Sequence, residues 1–338
     1  MRFVGGEIGN DSIKLCNGER LATLGLDGAG PLVDRLEANP RCPEARGMTK
    51  RLQILAAALA SLALTCAAAM AGDVGTSKSY RGPTGLQLYS LRDMQKAQGV
   101  EATLDQAVAL GFKYVEVAAL GNLSPAQFKQ QLDRRGLVPI GRHFPFEQLR
   151  DNVEGVARDA KALGLPYVGC AWIPHKDPFT EQQCREAARV FNRAGAALAK
   201  QGIKFYYHNH GYEFQPYGQG TLFDLLASQT DPKTVFFQMD VLWTVLPGQD
   251  PVSLLEKYPN RWLLMHLKDL KKGVPLGSLT GGTALTNDVA LGTGQVQWAP
   301  LFRAAQKVGI KYYFIEDESP APLQQIPHSL RYLESLDW

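Results

Sequence analysis

Four of the six histidines fall where strand-like runs end: His143 in VPIGRHFP, His208 and His210 in KFYYHNHGYEF, and His266 in WLLMHLKD. Three carboxylates take the same kind of place, Glu116 in KYVEVAAL, Asp240 in VFFQMDVLW and Glu316 in YYFIEDES. Imidazole nitrogens and carboxylate oxygens recurring at one edge of a repeating architecture are the donors of a divalent-metal site, and a β/α barrel gathers such donors at the C-terminal ends of its strands. Any one of these histidines is as well explained as a hydrogen-bonded residue near the core. Four of them sharing one rim with Asp240 and Glu316 are not a random scatter.

The elements that must position these residues alternate strictly. Short β-branched or aromatic runs at 85–90, 112–118, 138–143, 166–172, 203–208, 234–240, 262–267 and 311–316 read as strands. Amphipathic segments at 101–110, 125–135, 147–163, 180–200, 221–229, 251–258, 296–308 and 325–336 read as helices. Gly111, Gly136, Gly164, Gly202 and Gly309 stand at the helix ends, where a left-handed C-cap is expected. The alternation predicts a single-domain α/β fold, a (β/α)8 TIM barrel rather than an open doubly wound sheet.

The barrel is expected to occupy residues 72–338. Residues 48–71, MTKRLQILAAALASLALTCAAAMA, carry a Met start, Lys50 and Arg51, an apolar run and the small-x-small end Ala69-Met70-Ala71. That is the pattern of a secretory signal peptide cut before Gly72, with a membrane anchor as the alternative reading of the same run. Residues 1–47 have no sustained period and read as a mis-assigned, disordered extension ahead of the true start. The expected location of the mature protein is therefore periplasmic or secreted. From Gly72 onward 28 Lys and Arg face 26 Asp and Glu, a balance that gives no electrostatic case for nucleic acid. Cys170 and Cys184 are the cysteines of that segment, and Cys170 in the apolar run PYVGCAW is expected to be a buried free thiol. Serine nucleophile elbows, dinucleotide fingerprints and paired zinc-ribbon cysteines are absent, and LGTG lacks the Lys-Ser/Thr ending of a nucleotide loop.

In the order GLQLYSLRD, GFKYVEVA, YHNHGYEF, FFQMDVLW, HLKD, LGTGQVQW and FIEDE, the chain resembles the xylose isomerase-like barrel superfamily, the sugar phosphate isomerase/epimerase group. The resemblance implies a divalent metal held by a strand 5 Glu, a strand 6 Asp, a strand 7 His and a strand 8 Glu. The last three correspond to Asp240, His266 and Glu316. At strand 5 this chain departs from its relatives, because His208-Asn209-His210 stands where many carry Glu-Asn-His. His208 can still ligate, and two nitrogens with two oxygens suit Mn, Zn, Fe or Co better than Mg. A mechanism that trades a proton between two glutamates is put in doubt, with His208 or the nearby Glu213 as the replacement.

The chemistry implied is proton abstraction next to a carbonyl, with the metal stabilising an enediolate and Glu316 or His208 as base. Lys268 is placed to neutralise a developing oxyanion, or else faces solvent. His143 and Glu116 are expected to grip sugar hydroxyls or to orient a ligand from behind, alongside His210. Trp172 and Trp243 offer apolar faces to a sugar ring, and at least one of them is as well explained as ordinary packing. The glycine-rich segment 269–298 is long for a βα connection and reads as a lid or binding loop, with a disordered insertion as the alternative.

Export favours a non-phosphorylated substrate. Sugar isomerisation or epimerisation ranks first, β-elimination from a 3-keto-glycoside second, and a non-catalytic carbohydrate-binding barrel third. The expected partner is a small sugar or glycoside, with no nucleic acid and no membrane after signal cleavage; a homo-oligomer stays open.

Overall fold

The computed structural model describes residues 82–337 and, upstream, the backbone of Ser12–Asn17 and Arg20–Gly25, which pair as an antiparallel hairpin. The rest of the expected extension 1–47 and the signal segment 48–71 lie outside the described residues. Among the described residues no helix is long and apolar enough to cross a membrane.

Eight parallel strands close into a barrel: β1 Thr84–Gln87, β2 Tyr114–Val117, β3 Val138–His143, β4 Tyr167–Cys170, β5 Lys204–His208, β6 Val235–Asp240, β7 Trp262–Leu267 and β8 Tyr312–Ile315. Each pairs with the next, and β8 returns to β1 through Tyr313↔Thr84 and Ile315↔Leu86. The connections carry helices, so the strands bury an outer face against them and an inner face against one another. Cys170 and Cys184 are buried free thiols, and burial pushes both up to about 12.

Three segments differ from the sequence reading, each for a local reason. The run GLQLYS is strand only to Gln87, whose side-chain carbonyl accepts the Tyr89 N–H at 3.2 Å and turns Leu88–Leu91 into a 3-10 helix. The first helix, α1, spans Arg92–Ala109 and not 101–110; its start lacks an amphipathic stripe, and Gly99 interrupts it with φ 88°. The segment 147–163 is two helices, Phe146–Asp151 and Val153–Leu163, divided by Asn152, which caps the second by accepting from Gly155 N at 3.1 Å. Gly164 and Gly309 end their helices at φ 72° and 82°, the left-handed caps expected.

Strand periodicity builds the barrel's inner layers. Tyr206 and His208, Gln238 and Asp240, Leu264 and His266, and Phe314 and Glu316 are i, i+2 pairs, so each strand sets one residue beneath another on the same face. Tyr206 is the largest side chain of the lower layer and packs with Ile140, Leu264 and Phe314. It fits because its neighbours lack side chains. A Cβ on Gly169 would stand 2.3 Å from the Tyr206 ring and 2.7 Å from His143, and one on Gly141 would stand 2.9 Å from the Tyr206 hydroxyl. Gly169→Ala should therefore cost about 1–3 kcal/mol of stability through overpacking. Denaturant unfolding checks this, and an unchanged midpoint would show that the notch is not needed.

Candidate active site

Glu116 lies at the centre of the barrel with no exposed surface. It accepts from Gln87 Nε2 at 2.5 Å, the Tyr206 hydroxyl at 2.5 Å and Gln238 Nε2 at 2.8 Å, and it pairs with His266 Nε2. Burial would raise its pKa, but the charges of His143 and His266 and these hydrogen bonds win and bring it down to about 2. His266 is the reciprocal case. Burial would lower it, yet Glu116 and Glu316 hold it up at about 10. With Nε2 committed to Glu116, His266 turns Nδ1 to the rim, 3.0 Å from Glu316 Oε2 and 3.8 Å from Asp240 Oδ2.

Gln238 sets two more imidazoles. Its Nε2 must face the Glu116 carboxylate, which can only accept, so its Oε1 is left to accept from His143 Nε2 at 2.8 Å and His208 Nδ1 at 2.9 Å. His208 therefore carries its proton on Nδ1 and presents an unprotonated Nε2, 3.9 Å from Asp240 Oδ2. Burial, then the neighbouring charge of His266, keeps it neutral by moving its pKa well below the ordinary value.

Asp240 ends β6 and caps the short helix Val241–Val245, its Oδ1 accepting from Trp243 N at 3.0 Å. Asn209, between the two histidines, locks the ends of β5 and β6 together. Its Oδ1 accepts from Asp240 N at 2.9 Å, and its Nδ2 donates to Asp240 O and Thr244 Oγ1. The carboxylate so fixed aims Oδ2 inward, buried and without a hydrogen-bond partner. Burial pushes Asp240 up to about 6 against the pull of Lys268 and His266.

Lys268 does not face solvent. It is buried, pairs with Glu318, and stands 3.3 Å from Glu316 Oε2, 3.7 Å from Asp240 Oδ2 and 5.3 Å from the centre of the Trp243 ring. Burial alone would discharge it, but Glu316, Asp240 and Glu318 keep it an ammonium. Burial would also raise Glu316, and Lys268 and His266 outweigh this to hold it well below the usual carboxylate range.

A cavity of about 570 Å³ opens above this rim, lined by His143, His208, His210, Trp243, Lys268 and Glu316. Its outer wall is Gly281–Leu285 with Asp288, so the long loop does meet the cavity. It is ordered by its own chemistry: Asp269–Leu270 pairs with Asp288–Val289, and Asp269 accepts from the N–H groups of Gly292, Gly294 and Val296 and from Trp298 Nε1. His210 stacks on Trp243 at 4.5 Å, and burial takes it down to about 3.

Glu116 lies beneath the cavity, where it orients His266 from behind, the second of the two roles expected of it. Two residues weighed for the site stand elsewhere. Trp172 is 43% exposed beside the cavity, edge-on to His210 at 5.1 Å, while Ala171 lines it. Glu213 does not reach the rim; it accepts from His210 N and the Tyr207 hydroxyl, and burial raises it to about 7. Gln87, Tyr206 and Gln238 were missed. Gln238 had a signal, since it sits two residues before Asp240 and so shares its face.

Two donor groups could hold a metal, Asp240 with His266 and Glu316, and His143 with His208 and His266. The first fits better. Its charge is negative, its Asp240 Oδ2 is an orphaned buried oxygen, and Glu116 supplies the carboxylate behind the imidazole that metal-bound histidines require.

An inosose dehydratase of Clostridium botulinum is 26% identical over 65% of this chain and 82% of its own length. A sugar phosphate isomerase/epimerase structure from Parabacteroides distasonis is 26% identical, with TM-score 0.63 over 75% of this chain and 98% of that one. A protein named IOLI, described with a bound zinc atom, shares the fold at 12% identity and TM-score 0.58 over 75% of this chain and 95% of its own. The family model of the xylose isomerase-like TIM barrel matches residues 104–336, and the chain belongs to that family.

Proposed function

We propose that the protein is a metal-dependent lyase that removes the proton next to a carbonyl of a keto-sugar or keto-cyclitol and expels the β-oxygen substituent. The observation that carries this reading is the neutral His208, with an unprotonated Nε2 facing the rim and its other nitrogen fixed by Gln238. Asp240, His266 and Glu316 would hold the metal, which supplies a positive charge beside the carbonyl oxygen. Glu316 Oε2 is already engaged by Lys268 at 3.3 Å and His266 Nδ1 at 3.0 Å, so it is assigned as a ligand.

His208 Nε2 takes the proton from the carbon, and the C–H electron pair passes into a carbon–carbon double bond as the carbonyl oxygen gains charge. The Lys268 ammonium stabilises that charge. The electron pair then returns, the β C–O bond breaks, and the His208 imidazolium gives its proton to the departing oxygen. One base suffices on one face of the ring. Epimerisation asks for a second on the opposite face, and Glu316, the strand 8 carboxylate that would serve, is engaged by Lys268 and His266 and assigned as a ligand. The dehydratase name of the Clostridium relative supports elimination over isomerisation. Isomerisation, ranked first from sequence, becomes the second reading, supported by the Parabacteroides structure.

Both readings share the first proton transfer and differ in product. With keto-sugars and inososes in deuterated buffer, proton NMR should show an unsaturated ketone and released water or alcohol, abolished by chelator. His208→Gln should lower turnover about 10²–10⁴-fold with metal retained. A deuterated epimer with its carbon skeleton intact would favour isomerisation, and neither product with any metal would contradict both.

Glu116 yields a separate expectation. Loading Nδ1 of a protonated His266 must displace a proton, so metal affinity should rise with pH up to about 10. Glu116→Gln should weaken metal binding about 10–100-fold, as read by competition with a chromophoric chelator. Unchanged affinity would remove Glu116 from the site's support.

A further inference from the structure

The second cavity of the barrel, about 770 Å³, is larger than the one above the rim, and Tyr89, Ala118 and Ala119 wall both. It lies between the first half of α1 and the loop 118–123 after β2. The two are therefore adjacent compartments with Tyr89 at the partition, not separate sites.

Its lining is built and then left unengaged. Gln95 Nε2 donates to Ala119 O at 2.9 Å and ties the loop to the helix. Arg92 donates to Tyr89 O at 3.2 Å and Glu318 O at 3.0 Å, with its guanidinium 4.7 Å from the Tyr89 ring centre. These contacts hold a tyrosine that is 45% exposed. Glu101, the acid on this wall, stands 3.7 Å from Arg135. Lys96 and Gln98 line the cavity as exposed side chains and make no ion pair or hydrogen bond among the described residues. Val100 and Leu123 add an apolar strip.

A fixed aromatic face beside free donors is what a pyranose ring needs, since its C–H face stacks while its hydroxyls accept. We infer that this cavity is a subsite for a second sugar ring, so that the substrate class is a two-ring glycoside reaching from the rim past Tyr89. This rests on the proposed sugar chemistry at the rim and adds the part of the substrate that does not react.

Calorimetric titration of the full chain with glucose and myo-inositol, and with maltose, cellobiose and lactose, tests it. At least one disaccharide should bind about tenfold more tightly than the single rings. That gain should vanish in Lys96→Ala/Gln98→Ala and in the cavity-filling Asn122→Trp, with single-ring affinity unchanged. Single rings that bind with no gain from a second, or a gain that survives both variants, would overturn the subsite and leave the elimination chemistry standing. If none of these sugars binds, the subsite falls together with the reading beneath it.

Discussion

The contact between Glu116 and His266 at the centre of the barrel is the constraint on which the site depends. Two opposite charges removed from water are stable only when each is paired and hydrogen-bonded, and here Glu116 accepts from four side chains on four strands. Those bonds fix the ring plane of His266 and the direction of its Nδ1. They also fix Gln238, and through it the Nε2–H of His143 and the tautomer of His208. The rim presents a chosen arrangement of lone pairs because the layer below leaves its residues no alternative.

That layer is possible because the barrel can take a tyrosine inside. Tyr206 supplies one of the hydrogen bonds to Glu116 and needs the two glycines of β3 and β4 to do so. Above it, Asp240 is pinned by the helix it caps and by Asn209, so one oxygen is held toward the site without a hydrogen-bond partner. The cost of such an oxygen is offset by the positive charge of Lys268 nearby and, in the proposed function, by a metal. Lys268 is thus part of the site's electrostatics before any substrate arrives, and Glu316 is shared between it and His266.

Much of this was legible in the sequence because barrel strands are short, alternate with helices and end in the residues that matter. Asp240, His266 and Glu316 followed from being last or next to last in their runs, and the structure brings them within one donor group. Glycines after helices marked the turns correctly. What sequence did not reveal is cross-strand chemistry. Gln87, Gln238 and Tyr206 look like ordinary strand residues, and only the closure of the sheet makes them converge on Glu116. The sequence offered Trp172 and Trp243 as apolar faces, with ordinary packing open for at least one of them, and only the turn after β4, which takes Trp172 to the side of the cavity, tells the two apart. Glu213 was weighed as a replacement ligand, yet it serves the backbone and tyrosine around it.

The rim built on this contact is proposed to hold a divalent metal through Asp240, His266 and Glu316. The direct measurement is the metal content of the full chain purified without chelator, against that of Asp240→Ala/His266→Ala. Near-stoichiometric divalent metal is expected in the unaltered protein, and its loss in the double variant. No metal in either protein, even after reconstitution, would contradict it.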